Sequence, residues 1–225
     1  MMLLSLLSLI SSAAGISSVN IFPPESKPYG LSYEQHIKDF WKWIISIPQD
    51  ENPWGDQTGE NCAIGQLEPN SSTLFYLSGN GGGKSERTCT LSAGKSLFIP
   101  VSPMEKISDK EAPNRSIEEL HKIAKKDQDG VTSLYLKIND KEFTRQDLSK
   151  YRIPTEEFEV TFPKNAIFGA TEGISKAVAD GYYVITQPLE KGNYTILYKS
   201  SLICPEIDCI QPNFAQDIKY NLIVE

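Results

Sequence analysis

Histidine is scarce in this sequence: two in 225 residues, His36 and His121. There is no Cys-x-x-Cys pair, and neither histidine is close to a cysteine in the chain, which excludes the common zinc spacings. The Gly-x-Ser-x-Gly elbow of a serine hydrolase is missing. Basic tracts are missing too. With 22 Lys and Arg against 29 Asp and Glu, the net charge is −7, so neither nucleic acid nor an anionic membrane is an expected partner. Beyond the N-terminus no apolar run approaches the about 20 residues that span a bilayer.

The one apolar run is at the start. Residues 1–10 contain Leu3, Leu4, Leu6, Leu7 and Leu9, and Ser12 and Ala14 supply the small residues of a signal-peptidase site. Residues 1–14 are read as a signal peptide and residues 15–225 as a single β-rich domain, long enough to bury a real core. The run lacks a basic n-region, so a retained anchor is the alternative.

Four cysteines, an even number, suit an oxidising compartment. Three pairings are open. Cys62–Cys89 with Cys204–Cys209 is favoured, the second pair enclosing only the short loop 205–208. Chain entropy assigns these bridges about 3.5 and about 2 kcal/mol. Asn70, Asn114 and Asn193 each begin an Asn-x-Ser/Thr triplet at an expected loop or turn edge, where a glycan could sit.

Residues 32–47 form the strongest expected helix. Ser32 and Gln35 make a capping-box pattern, Pro48 ends the run, and Tyr33, Ile37, Phe40, Trp41, Ile44, Ile45 and Ile47 share one broad arc. A second, short helix is expected over 116–126, with Ser116 and Glu119 as its capping pair. About nine strands recur at short intervals; Asn139-Asp140 reads as a hairpin turn, and 158–162 alternates cleanly. The fold class is mostly β: an antiparallel β-sandwich or jelly roll with one N-terminal amphipathic helix.

Residues 78–85, Ser-Gly-Asn-Gly-Gly-Gly-Lys-Ser, resemble a phosphate loop at first sight. Serine stands where the first glycine belongs, and a strand follows instead of a helix. No nucleotide is expected there, and the glycines read as a hairpin turn. The loop 50–62 is the best functional candidate. Asp50, Glu51, Asp56 and Glu60 could ligate Ca²⁺, or two of them could act as an acid–base pair in a glycan hydrolase. The competing reading is an ordered structural loop of Asx turns closed by a disulfide. Trp43 and Trp54 could form a platform for a sugar ring. Trp41 faces the core; Trp43, at the edge of the apolar arc, is the better placed of the two helix tryptophans to be exposed, and core packing is the favoured reading of these rings.

The order of these pieces is distinctive. Trp41-x-Trp43 precedes Asn52-Pro53-x-x-Asp56-x-Thr58-Gly59-x-x-Cys62-x-x-Gly65-Gln66. Then come Arg87-x-Cys89-x-Leu91-x-Ala93-Gly94-Lys95-x-Leu97-Phe98-x-Pro100 and Ala179-Asp180-Gly181-Tyr182-Tyr183. This resembles a family of uncharacterised signal-peptide-bearing proteins of bacteria and archaea. The resemblance implies export and the Cys62–Cys89 bridge, and carries no activity with it. The resulting expectation is a secreted or cell-surface binding or structural module, with an extracellular glycan or a surface protein as partner. A polymer hydrolase using carboxylates of the 50–60 loop is the alternative.

Overall fold

The computed structural model describes residues 19–66, 73–107, 115–203 and 213–225. The leader at 1–14, the sequons at Asn70 and Asn114, and the Cys204–Cys209 pair lie outside the described residues.

The described chain is mostly β, with two mixed sheets packed together and three helices. Sheet one has the order β1 (Leu74–Tyr76), β3 (Ser96–Ile107), β7 (Gly173–Ile185), β6 (Phe158–Phe162). Sheet two has the order β2 (Gly83–Leu91), β9 (Asn213–Val224), β8 (Gly192–Ile203), β4 (Val131–Ile138), β5 (Lys141–Phe143). β1 runs parallel to β3, and β2 parallel to β9; the remaining pairs are antiparallel. The sandwich is therefore not wholly antiparallel.

The reason lies in the connections. The 78–82 glycine segment is not a hairpin: it carries the chain from β1 in sheet one to β2 in sheet two. The segment after β7 likewise crosses between sheets. Local turn chemistry supplies the positive φ of Gly82 and Gly83, but it does not choose a strand's partner. Asn139-Asp140, by contrast, is a true two-residue hairpin, with Asn139 at φ 51° and Ile138 opposite Lys141.

Burial sets the layering. β3 and β7 are buried nearly throughout, whereas β8 and β9 alternate buried and exposed residues. Sheet one is thus covered on both faces and sheet two on one. Helix α1 (Tyr33–Ser46) packs on β6 and β7, and α2 (Ile117–Asp129) on β3 and β7. All seven residues of the expected apolar arc of α1 are buried. Phe40 is the hub of this face: its ring stacks on Phe98 at 5.1 Å and lies edge-on to Trp41, Tyr76 and Tyr183.

The helix ends follow from the sequence. Ser32 Oγ accepts from Gln35 N, while the Gln35 amide donates onward to Asp39 rather than back to the cap. At α2 both halves of the capping box between Ser116 and Glu119 are made. Arg152 ties α2 to the sheet, forking onto Asp180 of β7 at 2.8–3.0 Å and reaching Asp129 at 2.7 Å. α3 (Arg145–Leu148) is a single turn after β5. His36 is buried, its Nε2–H donating to Pro28 O, and burial holds its imidazole below the ordinary histidine value.

Candidate functional site

The loop 48–66 begins where α1 ends. Asn52, 1% exposed, donates its amide to the carbonyls of Ile44 and Ile47, capping the helix, and its Oδ1 accepts from Trp54 N. Gln49 N donates to Asn165 O, and Asn165 donates to the Asp50 carboxylate. These bonds dock the loop on the turn that carries Phe168. They bring Trp54 edge-on to Phe168, with ring centroids 5.1 Å apart.

The Asp56 carboxylate accepts from the backbone N–H groups of Thr58, Gly59 and Asn61 and from the Thr58 hydroxyl. Partial burial pushes its pKa up, but these N–H groups and the Arg87 charge outweigh it and hold the carboxyl below the usual aspartate value. Gly59 has φ +99°, and a Cβ there would meet Thr88 O at 2.4 Å, so only glycine lets the loop lie against β2. Thr88 N donates to Thr58 O, and the Cys62–Cys89 disulfide fastens the loop's far end to the same strand. The pairing expected for these two cysteines is the one present.

The 50–62 loop is thus an ordered brace, and this corrects the hydrolase expectation. Asp56 is committed to its own turn, Asp50 to Asn165, and Glu51 and Glu60 are exposed. Of the described residues that line the neighbouring cleft, none is one of these four carboxylates. The acid–base pair needs two carboxyls converging on a cleft, and they do not converge on this one. The Ca²⁺ expectation meets a similar obstacle: among the described residues no three His, Cys, Asp or Glu side chains are grouped to hold a metal.

For Trp43 the core-packing reading holds and the sugar-platform one does not: it is 7% exposed. It stacks on Tyr76 at 5.2 Å and donates Nε1–H to Ile64 O. The 62–66 turn covers it, a long-range contact that helical periodicity does not register. Trp54 is different: half-buried, it lines a cleft of about 200 Å³.

That cleft is built from several places in the fold. Phe40, Trp41 and Ile44 of α1 form one side. The crossover at 78–81 faces it, with Gly81 placed so that a Cβ would meet the Trp54 ring at 2.8 Å. Residues 103–106 of β3 contribute Met104, Glu105 and Lys106, and Asp127 reaches in from α2. Phe168 stands at the rim, 44% exposed, with φ +62°. A bulky side chain in that backbone region carries strain of about 1 kcal/mol or more, the kind that clusters at binding sites. No single local motif marks Phe168; its sequence signal was only an aromatic before a glycine.

No protein-family model matches the chain, and no curated protein matches it. Among solved structures, it is similar to a chain of "Structure of PbICP-C in complex with falcipain-2", at 15% identity over 68% of this chain and 100% of that one. The TM-score is 0.25, too low for the likeness to carry an argument.

The brace predicts an acid-sensitive loop. The depressed Asp56 pKa means that its stabilisation is complete above the unfolded value of about 3.9 and is lost as pH falls through the folded value. Thermal melts from pH 6 down to pH 2.5 check this. Asp56→Asn is expected to be less stable than wild type at pH 6, with the gap closing toward the acid end. A gap that stays constant with pH contradicts the assignment.

Proposed function

We propose that the protein acts outside the cytoplasm as a binding module, and that the cleft between α1, the 78–81 crossover and Phe168 receives a small, mainly apolar group of its ligand. The observation that carries this reading is the Trp54–Phe168 pair. A strained, exposed aromatic and a loop-delivered tryptophan flank a concave, largely carbon-lined space. Catalysis is disfavoured because the reactive-looking carboxylates of 50–60 serve the backbone instead. A glycan is the weaker ligand. Stacking uses an aromatic face, but a sugar's hydroxyls need a dense set of polar partners, and of the polar side chains lining the cleft Lys106 is paired with Asp127, Asn80 with Ser85 and Gln216 with the Val101 carbonyl.

Thermal-shift titration with neutral one-ring compounds such as cyclohexanol and indole tests the site. Wild type is expected to gain about 1.4 kcal/mol of stability at ten times the dissociation constant. Trp54→Ala is expected to weaken that binding at least about fivefold. No shift in wild type at millimolar probe overturns the reading.

Export is supported by the Cys62–Cys89 bridge, which an oxidising compartment favours, and by the apolar leader ending in small residues. Asn193 and Thr195 are both exposed on β8, which leaves that sequon open to a glycan in a host that attaches one. Sequencing the N-terminus of the protein recovered outside producing cells is expected to read from Gly15. Protein confined to the cytoplasm with residue 1 intact contradicts export.

A further inference from the structure

One polar side chain of the cleft is only half used. Gln216 of β9 is 3% exposed, and its Nε2–H donates to Val101 O at 2.9 Å. That carbonyl fixes which end of the amide is which, because an oxygen there would face an oxygen. Oε1 remains, and no donor among the described residues reaches it. Nor is it sealed in: among the described residues, the wholly enclosed side-chain polar atoms without a partner are Gln128 Nε2 and Ser200 Oγ. A Cβ on Gly79 would stand 3.2 Å from Oε1. Gly79 lines the cleft and Val101 does not. The amide therefore turns its donor into the wall and its acceptor toward the open space.

The neighbouring polar side chains are occupied. Asn80 uses both ends, donating to Ser85 Oγ and accepting from Gly82 N, and Ser78 Oγ donates to Gly79 O. Lys106 is paired with Asp127, and Glu105 is engaged within the protein, so the lining gives no reason for a charged ligand. Phe40, Trp41, Trp54 and Phe168 supply aromatic carbon, and Trp41 Nε1–H is already given to Tyr183. Rings gain from edge-to-face and offset contacts beyond the area they bury, which favours a ring between such walls over an alkyl chain. A cavity of about 150 Å³ holds benzene, so about 200 Å³ suits a ring with about one or two substituent atoms.

Resting on the assignment of this cleft as the binding site, we propose that the group it receives is a phenol, with its ring between the aromatic walls and its hydroxyl donating to Gln216 Oε1. A hydrocarbon ring would strip water from that oxygen and return no bond. An amine or a primary amide would bring several N–H donors to a single acceptor and leave one unpaired. A phenol brings one donor, and its own oxygen is a weak acceptor because its lone pairs are shared with the ring. The same group is carried by free phenols and by the tyrosine side chains of a polypeptide.

Isothermal titration of the full chain with phenol and with toluene, its methyl isostere, tests the proposal. Wild type is expected to bind phenol more tightly, although toluene is the more apolar. Gln216→Met is expected to shift the ratio of the two affinities at least about tenfold toward toluene. Should that variant fail to fold, anisole decides on wild type alone: methylating the hydroxyl is expected to weaken binding at least about tenfold. N-acetyltyrosinamide separates the sources. Its binding supports a tyrosine side chain of a partner, and its exclusion while phenol binds supports a free phenol. Toluene bound more tightly than phenol by wild type, or a ratio that Gln216→Met leaves unmoved, overturns the phenol inference while leaving an apolar binding site in place. Anisole bound as tightly as phenol also overturns it. Binding of no compound at all removes the site reading with it.

Discussion

The structure turns on one buried guanidinium. Arg87 is fully buried in the middle of β2, and its partners are carbonyls and a phenol. Nε donates to Asp56 O, Nη1 to Ser78 O and Tyr220 Oη, and Nη2 to Gly79 O, with the guanidinium 5.3 Å from the centre of the Tyr220 ring. A buried charge is tolerable only when its donors are satisfied, and here four bonds and an aromatic face do so. The Ser78 carbonyl also accepts from the Tyr198 and Tyr220 hydroxyls. Burial drives the Tyr198 pKa well up, so that hydroxyl keeps its proton to donate. One side chain thereby joins the 50–62 loop, the crossover between sheets, and the inner face of sheet two. Both segments that flank Trp54 hang from it.

This explains why the polar groups of a loop rich in carboxylates serve its own structure. Its polar groups answer backbone: Asn52 closes α1, Asp56 closes its own turn, and Gln66 bonds both backbone groups of Tyr76. With the disulfide at its end, the loop is a rigid arm for Trp54. The proposed function, recognition, falls to the adjoining cleft. There, Lys106 and Asp127 are brought together by the packing of α2 on β3.

Short-range features of the fold were legible in the sequence. The apolar arc of α1, the capping box at Ser116 and Glu119, the Asn139-Asp140 hairpin and the alternation of β6 all sit where periodicity and turn chemistry place them. What was not legible depends on partners distant in the chain. Alternation reveals a strand but not its sheet, so the 78–82 crossover between the sheets read as a hairpin. Trp43 sits at the arc's edge until the 62–66 turn covers it. Arg87 did leave a trace: it shares parity with Ser85, Cys89 and Leu91, which places a charge on the inward face of its strand. Phe168 left almost none, because its role comes from the docking of Trp54 beside it.

Hydrogen exchange on Arg87→Lys tests this account most directly. A lysine ammonium cannot fork to acceptors on both the loop and the crossover. The variant is expected to lose about 3 kcal/mol of stability, with exchange quickening most at residues 54–60 and 78–82 and least in β8 and β9. Wild-type protection in those two segments would contradict the claim that Arg87 holds the site together.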